Sequence, residues 1–203
     1  MKKYELGSVD GYMEKKRLSS DEIELIADHM LKGLTYLWEI HGLGHCDMKP
    51  ENVFLTLDQQ TLLAVVGDFG TVAPLGRPQI HDGKPQTYAD RRYLHETEQQ
   101  NNPLPVTRNR DMFAYVLSVY DMVTGRSQPR QATYPDISQY DHAMWHGPTS
   151  STVRKILQTA TRGDRNLAKY YPMRSSLNGY GMMAQPTGFP MPMPAAGFPV
   201  WAR

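Results

Sequence analysis

The 203 residues carry 22 lysines and arginines against 21 aspartates and glutamates, and this net charge of +1 gives no electrostatic ground for binding nucleic acid or an anionic membrane surface. Hydrophobic residues make up 40% and charged residues 21%, the balance of a globular chain long enough to bury a core, and the longest nearly apolar run, Met112 to Val123, is too short to cross a bilayer. A single cysteine, Cys46, excludes an internal disulfide framework and fits a reducing compartment, so an intracellular location, cytoplasmic or nuclear, is expected.

The opening MKKYELGSVDGYM has two lysines but neither an apolar core nor a small-residue cleavage site, so it does not read as a secretory signal. The segment SSDEIELIADHMLKGLTYLWEIHG then predicts a long amphipathic helix. Ser19 and Glu22 have the spacing of a capping box, Asp21 adds negative charge to the first turn, and Ile23, Ile26, Met30, Leu34, Leu37 and Ile40 fall on one face. Gly42 and Gly44 end it.

Val53-Phe54-Leu55 and Leu62 to Val66 are apolar, partly β-branched runs separated by a polar stretch, the pattern of a hairpin. An antiparallel hairpin places the residue entering its first strand beside the residue leaving its second, which brings Asn52 towards Asp68. From Thr71 to about Arg110 a polar, Pro- and Gly-containing stretch predicts a long loop. DMFAYVLSVYDMVTG follows, apolar nearly all round and closed by Gly125, and predicts a helix in the centre of a domain. TSSTVRKILQTATR predicts one more amphipathic helix, and from about Tyr171 the Pro-, Met- and Gly-rich sequence predicts a disordered tail.

Between the long helix and the hairpin lies HCDMKPENVFL, and the hairpin runs out into GDFG. Phosphoryl transfer needs a carboxylate to accept or orient the proton of the attacking hydroxyl, a cation to offset phosphoryl charge, and oxygen ligands for a Mg²⁺ ion on the nucleotide phosphates. Asp47, Lys49, Asn52 and Asp68 supply such a set. Pro50 stiffens the turn that brings Asn52 round, and Gly70 permits a turn after Asp68.

HCDMKPEN followed by DFG resembles the catalytic loop and metal-binding triplet of eukaryotic protein kinases, with Lys49-Pro50-Glu51 in the form of the serine/threonine type. MKKYELGSVDGYM is similar to the hinge between the two kinase lobes, the capped helix to the one that precedes the catalytic loop, and DMFAYVLSVYDMVTG to the buried central helix of the large lobe. The resemblance implies a mainly α fold with a small β-hairpin, the C-terminal kinase lobe, over residues 1–171, with the tail at 172–203. It implies ATP and Mg²⁺ as cofactors and a protein serine or threonine hydroxyl as acceptor. Asp47 would be the catalytic base and Lys49 the γ-phosphate contact; Asn52 and Asp68 would hold the metal. Backbone groups of Lys2 and Tyr4 would meet the adenine, with Glu51, Asn52, Phe54 and Asp68 completing the nucleotide contacts. Phe69 would pack beneath the site, and Asp111 would bind the catalytic-loop backbone.

Several positions depart from the family pattern. Its glycine-rich loop, strand lysine and helix glutamate precede the hinge, so this sequence is expected to lack the small lobe and to transfer phosphate poorly by itself. The alternative function is a non-catalytic, kinase-derived module that binds other kinases or their substrates. Cys46 stands where the family has an arginine that answers loop phosphorylation, although Thr71, Thr87 and Thr97 remain as acceptors. ADRRYLHETE matches the family's G-D/T-x-x-Y-x-A-P-E loosely: Tyr93 fits, Ala89 replaces glycine, and His95-Glu96-Thr97 replaces A-P-E, with Arg165 and Lys169 as candidate partners for a glutamate there. His45 is expected to be a packed loop support. The pair His41/His45 straddles two glycines, and His142/His146 lies by Gly147-Pro148 with no nearby carboxylate pair, so no zinc site is expected.

Overall fold

A computed structural model describes residues 4–94 and 104–125. Strand β1 (Gly7–Ser8) runs directly into the short helix α1 (Val9–Met13), whose first turn is capped by the Ser8 hydroxyl accepting from the Gly11 N–H at 3.2 Å. Neither element had a signal in the sequence pattern.

Helix α2 (Ser20–Tyr36) begins as its capping box predicts. The Glu22 N–H donates to Ser19 Oγ at 3.2 Å, and the Ser19 N–H donates to Glu22 Oε2 at 2.8 Å, so two of the orphan donors at the helix start are satisfied reciprocally. Its end departs from the expected pattern. Leu37–His41 form a π-turn, closed by the Gly42 N–H donating to Leu37 and Trp38 carbonyls, before strand β2 (Leu43–Gly44). A π-turn advances fewer degrees per residue than an α-helix, so the 3.6-residue stripe slips out of phase. Trp38 becomes buried, and Ile40, expected on the core face, is 52% exposed.

The expected hairpin is β3 (Val53–Asp58) with β4 (Thr61–Val66), in the register Val53↔Val66 to Asp58↔Thr61. Gln59 and Gln60 join the strands with positive φ at both positions, the geometry of a two-residue turn whose twist matches that of the strands. The hairpin does not stand alone: β1 pairs with β3 through Gly7↔Leu55 and Ser8↔Phe54, making a three-stranded antiparallel sheet ordered β1-β3-β4. This corrects the single small hairpin of the sequence reading.

The predicted loop after Thr71 carries short paired segments: β5 (Ala73–Pro74) on β2, and β6 (Ile80–His81) on β7 (Lys84–Pro85). Helix α3 (Arg108–Thr124) starts three residues earlier than the apolar pattern suggested, because Thr107 caps it by accepting from the Arg110 N–H at 3.3 Å. It ends, as expected, on Gly125 in the left-handed conformation at φ +67°.

The core lies between α2, the sheet and α3. Ile26, Met30 and Leu34 of α2 pack with Val53, Leu55 and Val66 of the hairpin and with Met112, Tyr115 and Leu117 of α3. Gly33 explains how closely α2 approaches β4: a Cβ there would stand 2.8 Å from Val66 Cγ2. A glycine in a helix interior costs about 1 kcal/mol relative to alanine, and the close helix–strand packing offsets it. The boundary expected at Tyr171, the helix expected from TSSTVRKILQTATR and the Pro/Met-rich tail lie outside the described residues.

Candidate active site

The segment from His45 to Asn52 leaves β2 and enters β3 through a 3₁₀ turn at Pro50–Asn52, so the elements that anchor it are β2, the start of β3 and the N-terminal turn of α3. Asp111, buried in that turn, accepts from the His45 N–H, the Cys46 N–H and the Trp38 indole N–H, each at 2.8 Å. Cys46 sits at φ +71°, a left-handed backbone that costs a non-glycine residue about 1–3 kcal/mol and persists only when its surroundings hold it. The two backbone bonds to Asp111 supply that hold. The Cys46 thiol is buried and donates to the Gly44 carbonyl at 3.5 Å.

The His45 ring is fully buried, its Nε2 2.9 Å from the Gly67 carbonyl oxygen. It packs the loop against the run-out of β4. His41 is exposed with its ring against Tyr36, so the two histidines do not share a site.

Asp47 is 9% exposed, and its carboxylate is tightly placed. Oδ2 accepts from Asn52 Nδ2 at 2.9 Å and lies 3.0 Å from Lys49 Nζ; Oδ1 accepts from the Asp90 N–H at 2.9 Å. Asn52 Nδ2 also donates to the Asp47 carbonyl at 2.7 Å. A carboxylate has about four lone-pair sites, so these three partners leave room on Oδ1 for one further donor, such as a hydroxyl.

Around Asp47 runs an ion network that sequence patterns did not reveal. Lys49 Nζ lies 3.7 Å from Asp90 Oδ2, Arg92 Nη2 lies 2.7 Å from both Asp90 Oδ2 and Glu51 Oε1, and the Arg92 Nε–H also donates to Asp90. Burial works to lower the Lys49 pKa, but the Asp47 hydrogen bond and the charges of Asp47, Asp90 and Glu51 outweigh it, and the net shift is upward. Burial works to raise that of Asp90, and Arg92 outweighs it in the other direction. The Asp90 hydrogen bond leads the causes that hold the Arg92 guanidinium charged. Asp90 had one legible sign, its match to the D/T place of G-D/T-x-x-Y; Arg92 had none.

The hairpin register pairs the strands out to Gly67, whose N–H donates to the Asn52 carbonyl at 2.9 Å, and Asp68 is the next residue along the chain. Asp68 is exposed, at φ +57°, with Oδ1 accepting from the Gly70 N–H at 3.4 Å. Asn52 spends its amide nitrogen on Asp47, and among the described residues no group donates to its Oδ1. A carboxamide oxygen and a carboxylate are hard-oxygen donors, the ligand type that Mg²⁺ takes. Among the described residues no group of three or more His, Cys, Asp or Glu side chains is placed to hold a metal ion by itself.

Of the remaining expected residues, Lys2 lies outside the described residues. The Tyr4 carbonyl accepts from the Gly7 N–H at 3.1 Å, and its ring stacks on Phe54 with centroids 5.5 Å apart. Phe54 also covers Gly67, where a Cβ would stand 2.8 Å from its ring. The Glu51 side chain is engaged by Arg92. Phe69, expected to pack beneath the site, is instead 51% exposed: the left-handed Asp68 and the 3₁₀ turn Phe69–Thr71 bring its ring against His45.

A helical body around a short antiparallel sheet, with an aspartate held by a lysine and an asparagine at the mouth of a hairpin, defines a protein-kinase-like fold. The chain belongs to the protein kinase domain family, whose model matches residues 1–164. It is 32% identical over 131 residues to 3-phosphoinositide-dependent protein kinase 1 of Arabidopsis thaliana, covering 61% of this chain and 26% of that protein. It is also 32% identical over 116 residues to the membrane-associated tyrosine- and threonine-specific cdc2-inhibitory kinase wee-1.3 of Caenorhabditis elegans, covering 57% of this chain and 16% of that protein. The chain thus spans about a quarter of the first relative's length and less of the second's. The solved structure of the Cydia pomonella granulovirus kinase PK-1 is similar with a TM-score of 0.54 over 79% of this chain and 60% of that one; at 16% identity the likeness speaks for the fold alone. No described helix is long and apolar enough to cross a membrane.

Proposed function

We propose that this chain carries the large-lobe part of a serine/threonine protein kinase site that transfers the ATP γ-phosphate to a protein hydroxyl. The observation that carries the reading is the Asp47 carboxylate, fixed by Asn52, Lys49 and the Asp90 N–H with one lone-pair site open. On this reading Asp47 accepts or orients the proton of the attacking hydroxyl, and Lys49 contacts the γ-phosphate. Asn52 Oδ1 and Asp68 hold Mg²⁺, which when bound offsets charge on the nucleotide phosphates. Backbone groups of Lys2 and Tyr4 meet the adenine, the Phe54 ring stands below it, and Glu51 contributes from the loop. The serine/threonine assignment rests on Lys49-Pro50-Glu51, the protein is placed in the cytoplasm or nucleus, and its partners are protein substrates.

A second reading, a binding module that engages other kinases without catalysis, is favoured by the exposed Phe69 and by His95-Glu96-Thr97 in the A-P-E place. Phosphotransfer from labelled ATP with Mg²⁺ to serine, threonine and tyrosine peptides decides between them, with Asp47→Asn as the control. Transfer to serine or threonine that the substitution abolishes supports the enzyme. A chain that neither transfers phosphate nor gains thermal stability from Mg²⁺ and ATP at concentrations near 100 times a typical kinase Kd, where binding adds roughly 2.7 kcal/mol, is the binding module.

A further inference from the structure

Between Gly76 and Tyr88, where most side chains are exposed, Gln79 is 5% exposed. Its carboxamide is fully used. Nε2 donates to the Thr71 carbonyl at 2.7 Å and to the Tyr88 carbonyl at 3.1 Å, and Oε1 accepts from the Tyr88 N–H at 3.0 Å and from Arg110 Nη2 at 2.9 Å. Two donors and two lone pairs meet two acceptors and two donors, which satisfies everything a primary amide offers. The Gln79 main chain adds a fifth bond, its carbonyl accepting from the Gln86 N–H at 3.0 Å.

Each partner is a short step from Asp47. Thr71 Oγ1 donates to the carbonyl of His45, two residues before Asp47, at 2.9 Å. Tyr88 lies two residues before Asp90, whose N–H holds Asp47 Oδ1 at 2.9 Å. Arg110 precedes Asp111, which holds the backbone of His45 and Cys46. One side chain therefore ties both ends of the segment from Thr71 to Tyr88 to the helix that anchors the catalytic loop.

We infer that Gln79 is a positioning residue for Asp47: its amide fixes Tyr88 to Asp90 so that the Asp90 N–H meets the Asp47 carboxylate, and this hold needs no phosphate. A carboxylate in the same place cannot donate to the Thr71 and Tyr88 carbonyls. The role deepens the kinase reading and rests on it for its catalytic meaning, whereas the placement of Asp90 is tested without any activity.

The test uses the whole chain with Gln79→Glu, which preserves size and the Arg110 contact while deleting both donated bonds; Gln79→Asn takes its place should the first variant fail to fold. Amide exchange of Tyr88 and Asp90, read by NMR, is expected to speed up by about tenfold or more, with β1 and β3 amides unchanged. Phosphotransfer is expected to lose kcat by a similar factor with KM for ATP unchanged, and phosphatase treatment of the parent chain is expected to change neither quantity. Exchange at Asp90 that stays at the parent rate in a folded variant overturns the inference, as does a parent chain whose Asp90 protection is lost on phosphatase treatment. Exchange that responds in a chain with no phosphotransfer upholds the placement and overturns the catalytic reading instead.

Discussion

Trp38 donates its indole N–H to the Asp111 carboxylate at 2.8 Å, joining the π-turn after α2 to the first turn of α3 across 73 residues of chain. Both side chains are buried, and the same carboxylate holds the His45 and Cys46 N–H groups. Trp38→Phe removes one donor and leaves Asp111 two others, so a loss of about 1.5–3 kcal/mol is expected. Asp111→Ala strands three buried donors at once and is expected to cost more, about 3–5 kcal/mol. Urea unfolding of the two variants measures the difference; equal losses would mean that the backbone bonds of His45 and Cys46 to Asp111 carry nothing.

Gly44 and Val106 form a tight contact: a Cβ on Gly44 would overlap Val106 Cγ1 and stand 3.3 Å from Asp111 Oδ2. Gly44→Ala is therefore expected to overpack the cluster of Cys46, Ala73 and Val106 and to cost about 1–3 kcal/mol. Val106→Ala alone removes two methyl groups at a cost of about 1–2 kcal/mol. The double variant is expected to lose clearly less than the sum, a coupling that a double-mutant cycle reads directly. Simple additivity would show that the loop bearing Val106 moves aside freely.

His29 accepts the Ala64 N–H at Nδ1, 3.1 Å away, a bond only the neutral ring can make. Burial leads the causes that hold its pKa below the ordinary 6.5, with the Lys32 charge adding to it. Since the unfolded chain then binds the proton more readily than the folded one, stability is full above pH 6.5 and falls as pH drops from there towards the depressed folded value. His29→Gln is expected to flatten the dependence in that window. Denaturant midpoints measured from pH 7.5 downward check it, and an unchanged slope in the variant would assign the effect to another group.

Arg92 links two loops through Asp90 and Glu51, and its side chain is only 14% exposed. Arg92→Met leaves both carboxylates without the guanidinium, and a loss of about 3 kcal/mol is expected at neutral pH. In the parent chain the Asp90 pKa, which burial raises, is pulled below its ordinary 3.8 by Arg92, so its contribution is present above 3.8 and is lost as pH falls through the depressed folded value. The stability gap between parent and variant is therefore expected to narrow at acid pH. A gap that stays constant down to pH 2.5 would show that Arg92 acts by packing alone.

What the sequence by itself determined was local. The capping box of Ser19 and Glu22, the two strands of the hairpin and the apolar body of α3 with its stop at Gly125 are each written within a few residues, because helix starts, strand alternation and left-handed stops depend on neighbours in the chain. The grouping of Asp47, Lys49 and Asn52 was legible for the same reason: six residues with Pro50 among them leave the chain little freedom. The pairing of Gly67 with Asn52 followed from one hairpin register.

Tertiary structure alone decided the rest. The π-turn that buries Trp38 and exposes Ile40 is set by the distant Asp111, against the helical period of the sequence. Glu51 and Arg92 are 41 residues apart, Asp47 and Asp90 43, and Gln79 and Arg110 31, and nothing in a local pattern registers pairs at such separations. A buried carboxylate or amide must find its donors wherever the fold brings them, since leaving one unmet costs more than the bond itself contributes. The choice of partner for Asp47, Asp111 and Gln79 is therefore made by the assembled core.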